Sequence, residues 1–271
     1  MDPIKQAINL VRGEDNPAEP GAEPSRSAAL RVRRERQLDA AHLEAKRIVA
    51  FGSKNQFGRA YDMLRTQVLQ EMDKRGWQFL AVTSPTPACG KTVTACNLAL
   101  SIARLRQRNV LLVDLDLHKP SVADYLGIEG GSGVIDLLEG RAGFSSAVLE
   151  AKFGPNRFLV LPGSVAESGP SEWMASQQMA ALLQAIRRDF RGTTIIFDLP
   201  PLLLGDDVIS ILPQMDTALL VAGIGTTTKT EIKECQRHLK RTPVVRVVVN
   251  KAMETPGSYY GYGYHGDGSR K

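Results

Sequence analysis

The sequence predicts an α/β fold, a doubly wound and mostly parallel sheet covered by helices. Three observations carry this. Short apolar runs rich in Val, Ile and Leu recur without alternating polarity, the mark of strands buried on both faces. Stretches with helical spacing separate them. The first such run also leads directly into a Gly-Lys-Thr turn that opens a helix. At 271 residues and 43% hydrophobic, the chain can bury one large core, so one globular domain with tails is the expected organisation.

Taken in order, residues 1–50 read as an appendage. Ile4, Ala7, Ile8 and Val11 share one face of a short amphipathic helix. That face is small for anchoring in a bilayer, so contact with a partner is preferred. Gly13–Ser27 is rich in Pro, Glu, Ala and Ser and reads as a flexible linker. Arg31, Arg33, Arg34 and Arg36 form a dense basic run, interrupted by Glu35 and without interleaved aromatics. A solvated helix face or anionic headgroups explain it better than specific nucleic-acid binding. The globular domain is expected over 51–254. Its first helix spans Arg59–Met72, with Tyr61, Leu64, Val68 and Leu69 facing a core. Strands are expected at Phe79–Thr83, Val110–Asp114, Phe158–Leu161, Thr194–Asp198, Ala218–Val221 and Val244–Asn250. Helices are expected at Lys91–Arg106, Ser171–Phe190 and Thr228–Leu239. Residues 255–271 read as a disordered Tyr/Gly-rich tail, since such a segment cannot pack a core.

Composition narrows the function classes. The formal charge of +5 is modest. No run of about eighteen apolar residues exists, which excludes a spanning helix. The start, Met1-Asp2-Pro3-Ile4-Lys5, lacks the apolar stretch of a secretory signal, so a cytoplasmic location is expected. Cys89, Cys96 and Cys235 are odd in number and lack CxxC spacing, against a disulfide framework or zinc site. Cys89 lies inside the turn before the helix. It reads as a small filler, with a redox-sensitive thiol as the alternative.

Ligands of such folds sit at the carboxyl ends of the strands. Ser84-Pro85-Thr86-Pro87-Ala88-Cys89-Gly90-Lys91-Thr92 follows the first strand and precedes a helix. This layout points backbone N–H groups at phosphates, with Lys91 reaching the β/γ oxygens and the Thr92 hydroxyl on Mg²⁺. The strict G-x-x-x-x-G-K-[ST] pattern fails at its first position, Pro85. Two more strands end in carboxylates, Asp114 with Asp116 and Asp198 before Leu199-Pro200-Pro201. Such groups can hold Mg²⁺ and its waters beside the β/γ phosphates. A lone strand-end Asp is usually a cap or a salt bridge; three in this order point to ATP with Mg²⁺.

On these residues the sequence resembles the bacterial tyrosine kinases that regulate capsular and exopolysaccharide synthesis, in their free-standing form. The family loop appears as Ser84–Thr92, its second acidic motif as Asp114–Pro120 and its D-x-P-P segment as Asp198–Pro201. Leu159–Gly163 followed by Pro170-Ser171-Glu172 matches a further family segment, and Val247-Val248-Val249-Asn250 the strand whose Asn lies beside the base. The resemblance implies a P-loop NTPase of the signature-lysine-related (SIMIBI) type. It implies nucleotide contacts from Pro87, Ala88, Cys89, Gly90, Lys91, Thr92, Val93 and Asn250. Thr92, Asp114 and Asp198 would form the metal shell, with Lys91, Asp114, Asp116 and Asp198 as the catalytic set. Asp116, or Asp114 with it, would accept the proton of a tyrosine hydroxyl, whose pKa near 10 calls for a base. Tyr259, Tyr260, Tyr262 and Tyr264, four of the chain's six tyrosines, would be phosphorylated. The implied partners are a membrane polysaccharide co-polymerase that recruits the chain to the inner face of the membrane, a protein-tyrosine phosphatase, and further copies of the chain.

The sequence departs from the family at three places. His118 stands where Arg is usual, and a His cannot make Arg's forked contacts. Ala88 replaces a glycine, a strained choice if the position needs positive φ. Arg59, Asp62 and Arg65 align with the ring-forming E-x-x-R-x-x-R helix with the first two signs exchanged, which leaves the size and closure of any oligomer open. Two other readings compete: a positioning or partitioning ATPase switch, against which Thr86 stands where that group carries its signature lysine, and a non-catalytic ATP-binding regulator.

Overall fold

The computed structural model describes residues 34–52, 56–166 and 169–252. The elements in chain order are β1 (Glu35–Gln37), α1 (Ala40–Ala45), α2 (Gln56–Arg75), β2 (Phe79–Thr83), α3 (Lys91–Ala103), β3 (Asn109–Asp114), α4 (Val122–Leu126), α5 (Val134–Leu138), α6 (Phe144–Ala147), β4 (Leu149–Phe153), β5 (Asn156–Leu161), α7 (Pro170–Met174), α8 (Gln177–Asp189), β6 (Thr193–Asp198), α9 (Asp207–Ile211), β7 (Thr217–Gly223), α10 (Lys229–His238) and β8 (Val244–Asn250). The strands form one sheet in the order β1-β4-β5-β3-β6-β2-β7-β8. Its pairings are parallel apart from the β4–β5 hairpin.

The non-alternating strands are buried on both faces, as their composition requires. Every residue of β2, β6 and β7 is buried. One face packs Phe79, Leu111, Ile195 and Phe197 against α5, α8 and α9. The other packs Leu80, Val82, Leu112 and Ile196 against α2 and α3. α3 is buried over most of its length because its apolar residues run all the way round it.

The register places the site. β2 and β3 flank β6, with Asp114 paired to Asp198 and Val82 to Asp198. The carboxyl ends of these three neighbours therefore meet beside the loop that follows β2.

Two expectations need correction. The domain boundary at residue 50 falls earlier. β1 pairs with β4, the Leu38 amide donates to Lys152 O at 2.8 Å, and Leu43, Ile48 and Ala50 are wholly buried. Few apolar residues in a charged segment do this packing, so no periodic pattern announced it. Second, the helix expected over Ser171–Phe190 is two helices. The Ser176 hydroxyl accepts from the Met179 amide at 3.0 Å and starts α8 afresh. Asp62 and Arg65, which align with a ring-forming helix, are engaged within the subunit. Asp62 Oδ1 accepts from Arg65 Nη1 at 3.1 Å, Ser101 Oγ at 2.7 Å and Arg104 Nη1 at 2.8 Å, tying α2 to α3 within the subunit. Of the basic run, Arg34 donates to Ser146 O and Gly130 O, while Arg31 and Arg33 lie outside the described residues. So do the N-terminal amphipathic helix, the Gly13–Ser27 linker and the tail tyrosines. No described helix is long and apolar enough to cross a membrane.

Candidate nucleotide site

The loop after β2 is held from two sides. The Thr83 hydroxyl donates to Pro200 O at 2.7 Å, while Leu202 N and Leu203 N donate to Ser84 O and Pro85 O. The segment after β6 thus runs alongside the loop, and Pro85 serves as an acceptor where the strict pattern has glycine. From the far edge, Asn250 Nδ2 donates to Cys89 O at 2.9 Å. Gly90 sits at φ 94°, and a Cβ there would lie 2.1 Å from that Asn250 nitrogen. Glycine is required here on both counts. Gly90 also precedes α3 with no side-chain cap, which leaves the helix's first amides for an anion.

Ala88 does adopt positive φ, at 62°. An alanine there is strained by about 1 kcal/mol. Ala88→Gly is therefore expected to raise the stability of the nucleotide-free protein by roughly 0.5–1 kcal/mol, offset in part by the freer unfolded chain. Urea unfolding checks this; a loss of stability would mean the loop holds Ala88 without strain.

Lys91 is buried among carboxylates. Its ammonium lies 2.8 Å from Asp116 Oδ2 and 3.4 Å from Asp198 Oδ2. Burial disfavours the charge, but Asp198 and Asp116 outweigh it and hold the ammonium above its usual range. Asp198 accepts from the Thr92 hydroxyl at 2.6 Å. Burial pushes the Asp198 carboxyl up, against the pull of Lys91 and Thr92.

Asp114 is occupied otherwise than expected. Its Oδ2 accepts from the Ser121 and Val122 amides at 2.8 and 2.9 Å, and its Oδ1 from the Asp116 amide at 3.1 Å. It shapes the loop that carries Asp116. Asp116 accepts from the Lys119 amide at 3.0 Å and borders the open cavity. Hard oxygen donors suit Mg²⁺, and the Thr92 hydroxyl with Asp198 and Asp116 offers them. Asp114, with both oxygens engaged by amides, suits the first shell least.

Cys89 is buried under the loop, 3.4 Å from the Thr227 hydroxyl. Burial raises its thiol pKa, but hydrogen bonds from Thr227 and Thr86 outweigh that and lower it. The filler reading suits a side chain with no exposed surface. Val93, half-buried on the first turn of α3, lines the cavity with Pro87, Ala88 and Asn250.

Asp207, which no sequence motif marks, completes the rim with His118 and Ser171. His118 Nε2 lies 3.2 Å from Asp207 Oδ1, which also accepts from the Ser171 hydroxyl at 2.8 Å. Asp207, buried at the start of α9, thus links the loops after β3 and β6 with α7. The signal available was Ser171 within Pro170-Ser171-Glu172; Asp207 has no motif around it. The cavity over the site measures about 1230 Å³.

The described geometry is that of a nucleotide-binding P-loop domain, and the comparisons agree. Residues 80–257 match the CobQ/CobB/MinD/ParA nucleotide binding domain, so the chain belongs to that family. Curated relatives that it resembles carry the name tyrosine-protein kinase. EpsB of Ralstonia nicotianae is 32% identical over 202 residues, 74% of this chain but 26% of EpsB. The chain thus spans about a quarter of that relative's length. CpsD of Streptococcus pneumoniae, named a tyrosine-protein kinase, is 28% identical over 214 residues, covering 78% of this chain and 91% of CpsD. The kinase domain of Escherichia coli tyrosine kinase ETK superposes with a TM-score of 0.65 at 28% identity, covering 76% of this chain and 80% of that one.

Proposed function

We propose that the chain is an ATP- and Mg²⁺-dependent protein-tyrosine kinase that phosphorylates its own cluster Tyr259, Tyr260, Tyr262 and Tyr264 in trans. It would act in capsule or exopolysaccharide production, at the inner face of the membrane with a co-polymerase, opposed by a tyrosine phosphatase. The observation that carries this reading is the convergence of Lys91, Thr92, Asp116 and Asp198 at the ends of three adjacent strands. The likeness to CpsD and ETK supports tyrosine as the acceptor.

Bound Mg²⁺-ATP supplies the phosphoryl group and neutralises charge as it moves. The chain's own residues do the remaining work. The free amides at the start of α3 would hold the phosphates, and Lys91 would exchange its carboxylates for them. Thr92 and Asp198 would hold the metal. Asp116, released from Lys91, takes the tyrosine proton. His118, fixed by Asp207, faces the same cavity in place of the family's Arg.

Incubation with Mg²⁺-ATP, followed by mass spectrometry of residues 255–271, tests this. Phosphate is expected on the four tail tyrosines and absent from Lys91→Met. A tail that stays unmodified even with the co-polymerase's cytoplasmic segment present would overturn the reading.

A further inference from the structure

Arg47, Ala88 and Lys251 are the non-glycine residues at positive φ among the described residues, at 61°, 62° and 61°. All three border the same cavity. Backbone held in a sparse region persists where its surroundings fix it, and such residues gather at functional sites. Ala88 belongs to the phosphate loop and Lys251 follows Asn250. Arg47 lies in the segment after α1, outside the nucleotide motifs.

A buried side chain builds Arg47's position. Asn97, on α3 and wholly buried, donates to Arg47 O at 3.0 Å and Val93 O at 2.8 Å. Its Oδ1 accepts from the Val49 and Ala50 amides at 2.7 and 2.9 Å. The helix whose first turn faces the phosphates therefore also fixes the turn that presents Arg47. The guanidinium itself is exposed at the rim and has no carboxylate partner among the described residues. Its neighbour Lys46 is neutralised by Asp124 at 2.6 Å. Val49, Tyr61, Val93 and Tyr125 give the same cavity an apolar and aromatic part of its lining. A cavity of about 1230 Å³ exceeds the range of about 300–1,000 Å³ usual for one small ligand. There is room beside a nucleotide for a second, extended one.

We propose that this lobe seats the acceptor segment of another protein, a tyrosine flanked by acidic residues, and that Arg47 reads those carboxylates. The choice of tyrosine rests on the kinase reading above. The acidic flank follows from charge. Guanidinium pairs with carboxylate in a forked geometry that a fixed backbone makes selective. The chain's own tail places no carboxylate next to any of its tyrosines, with Glu254 five residues before Tyr259 and Asp267 three after Tyr264, so it lacks the directly flanking acids that would complement Arg47. The acidic acceptor comes from elsewhere.

The test uses the full chain loaded with Mg²⁺ and a non-hydrolysable ATP analogue. Two fluorescent peptides with Phe in place of the acceptor tyrosine, one flanked by Glu and one by Gln, report binding without any turnover. Tyrosine versions of both report phosphate transfer with ATP. Arg47→Asn removes the charge with a residue that tolerates the left-handed region; Arg47→Lys retains it. The wild type is expected to bind the acidic peptide about tenfold tighter than the neutral one. Arg47→Asn should abolish that discrimination and Arg47→Lys restore most of it. Equal binding of the two peptides by the wild type, or a preference that survives Arg47→Asn, would overturn the proposal. So would an Arg47→Asn variant that weakens the nucleotide and both peptides together, since Arg47 would then belong to the nucleotide. A persisting acidic preference with no phosphate on peptide or tail would support the binding site and sink the kinase reading alone.

Discussion

Lys91→Met is expected to lower phosphate transfer by about a thousandfold, the scale on which removing a key charge-stabilising donor acts, and to destabilise the nucleotide-free protein in a pH-dependent way. The second effect follows from the crowding of carboxylates around the ammonium. Burial, and then the charge of Asp198, push the Asp114 carboxyl up to about 7. Asp198 is raised too, with Lys91 pulling against its burial. A carboxyl whose folded pKa exceeds its unfolded value, about 3.9 for Asp, binds more protons when folded. Its stabilising contribution is complete below the unfolded value and is lost as pH rises through the folded one. In the wild type Asp114 therefore costs stability between about pH 4 and 7. Without Lys91 the carboxyls climb further and the loss deepens toward alkaline pH. Breaking a buried charge pair costs about 3–5 kcal/mol. Urea unfolding in EDTA at pH 5 and pH 8 should give a larger deficit for the variant at pH 8. An equal deficit at both would mean that the carboxylates do not depend on Lys91.

The parts of this site that were legible in the sequence are those where chain order fixes geometry. A strand, a Gly-Lys-Thr turn and a helix put Lys91 and Thr92 at a strand end whatever else the chain does. Asp114 and Asp198 followed because each closes an apolar run, and the sheet register then sets them side by side. The division of labour between Asp114 and Asp116 was not legible. It depends on which backbone amides of the following loop turn inward, and no spacing rule encodes that. The same holds for Asp207 and Asn97, single polar residues whose partners lie 36 to 89 and 47 to 50 positions away in the chain. Asp62 is a further case: its alignment with a ring-forming helix says nothing of Arg104, the partner at the end of α3 that engages its charge. The segment at 34–50 was misplaced because a three-residue strand and four buried apolar side chains carry no periodicity to detect.

Asp116→Asn should lower the rate of tyrosine phosphorylation by about 10²–10⁴-fold, the usual range for a lost general base, with far less effect on the binding of ATP. The prediction rests on what the two neighbouring carboxylates touch. Asp116 holds one amide, that of Lys119, and turns its other oxygen toward Lys91 and the cavity. Once Lys91 reaches phosphate, that oxygen has no other side-chain partner among the described residues and is free to take the acceptor's proton. An asparagine can still accept from Lys119 but cannot take a proton. Asp114 receives three amides on its two oxygens, and an asparagine there would aim an N–H donor at at least one of them. An amide left unpaired in this buried setting costs about 1–3 kcal/mol. Asp114→Asn should therefore appear first as lost stability, with activity falling because the loop bearing Asp116 shifts. Single-turnover phosphate transfer from preformed ATP complexes, measured beside urea unfolding, separates the two. If Asp116→Asn keeps its rate while Asp114→Asn loses it at full stability, Asp114 is the base, and its three amides must open when substrate binds.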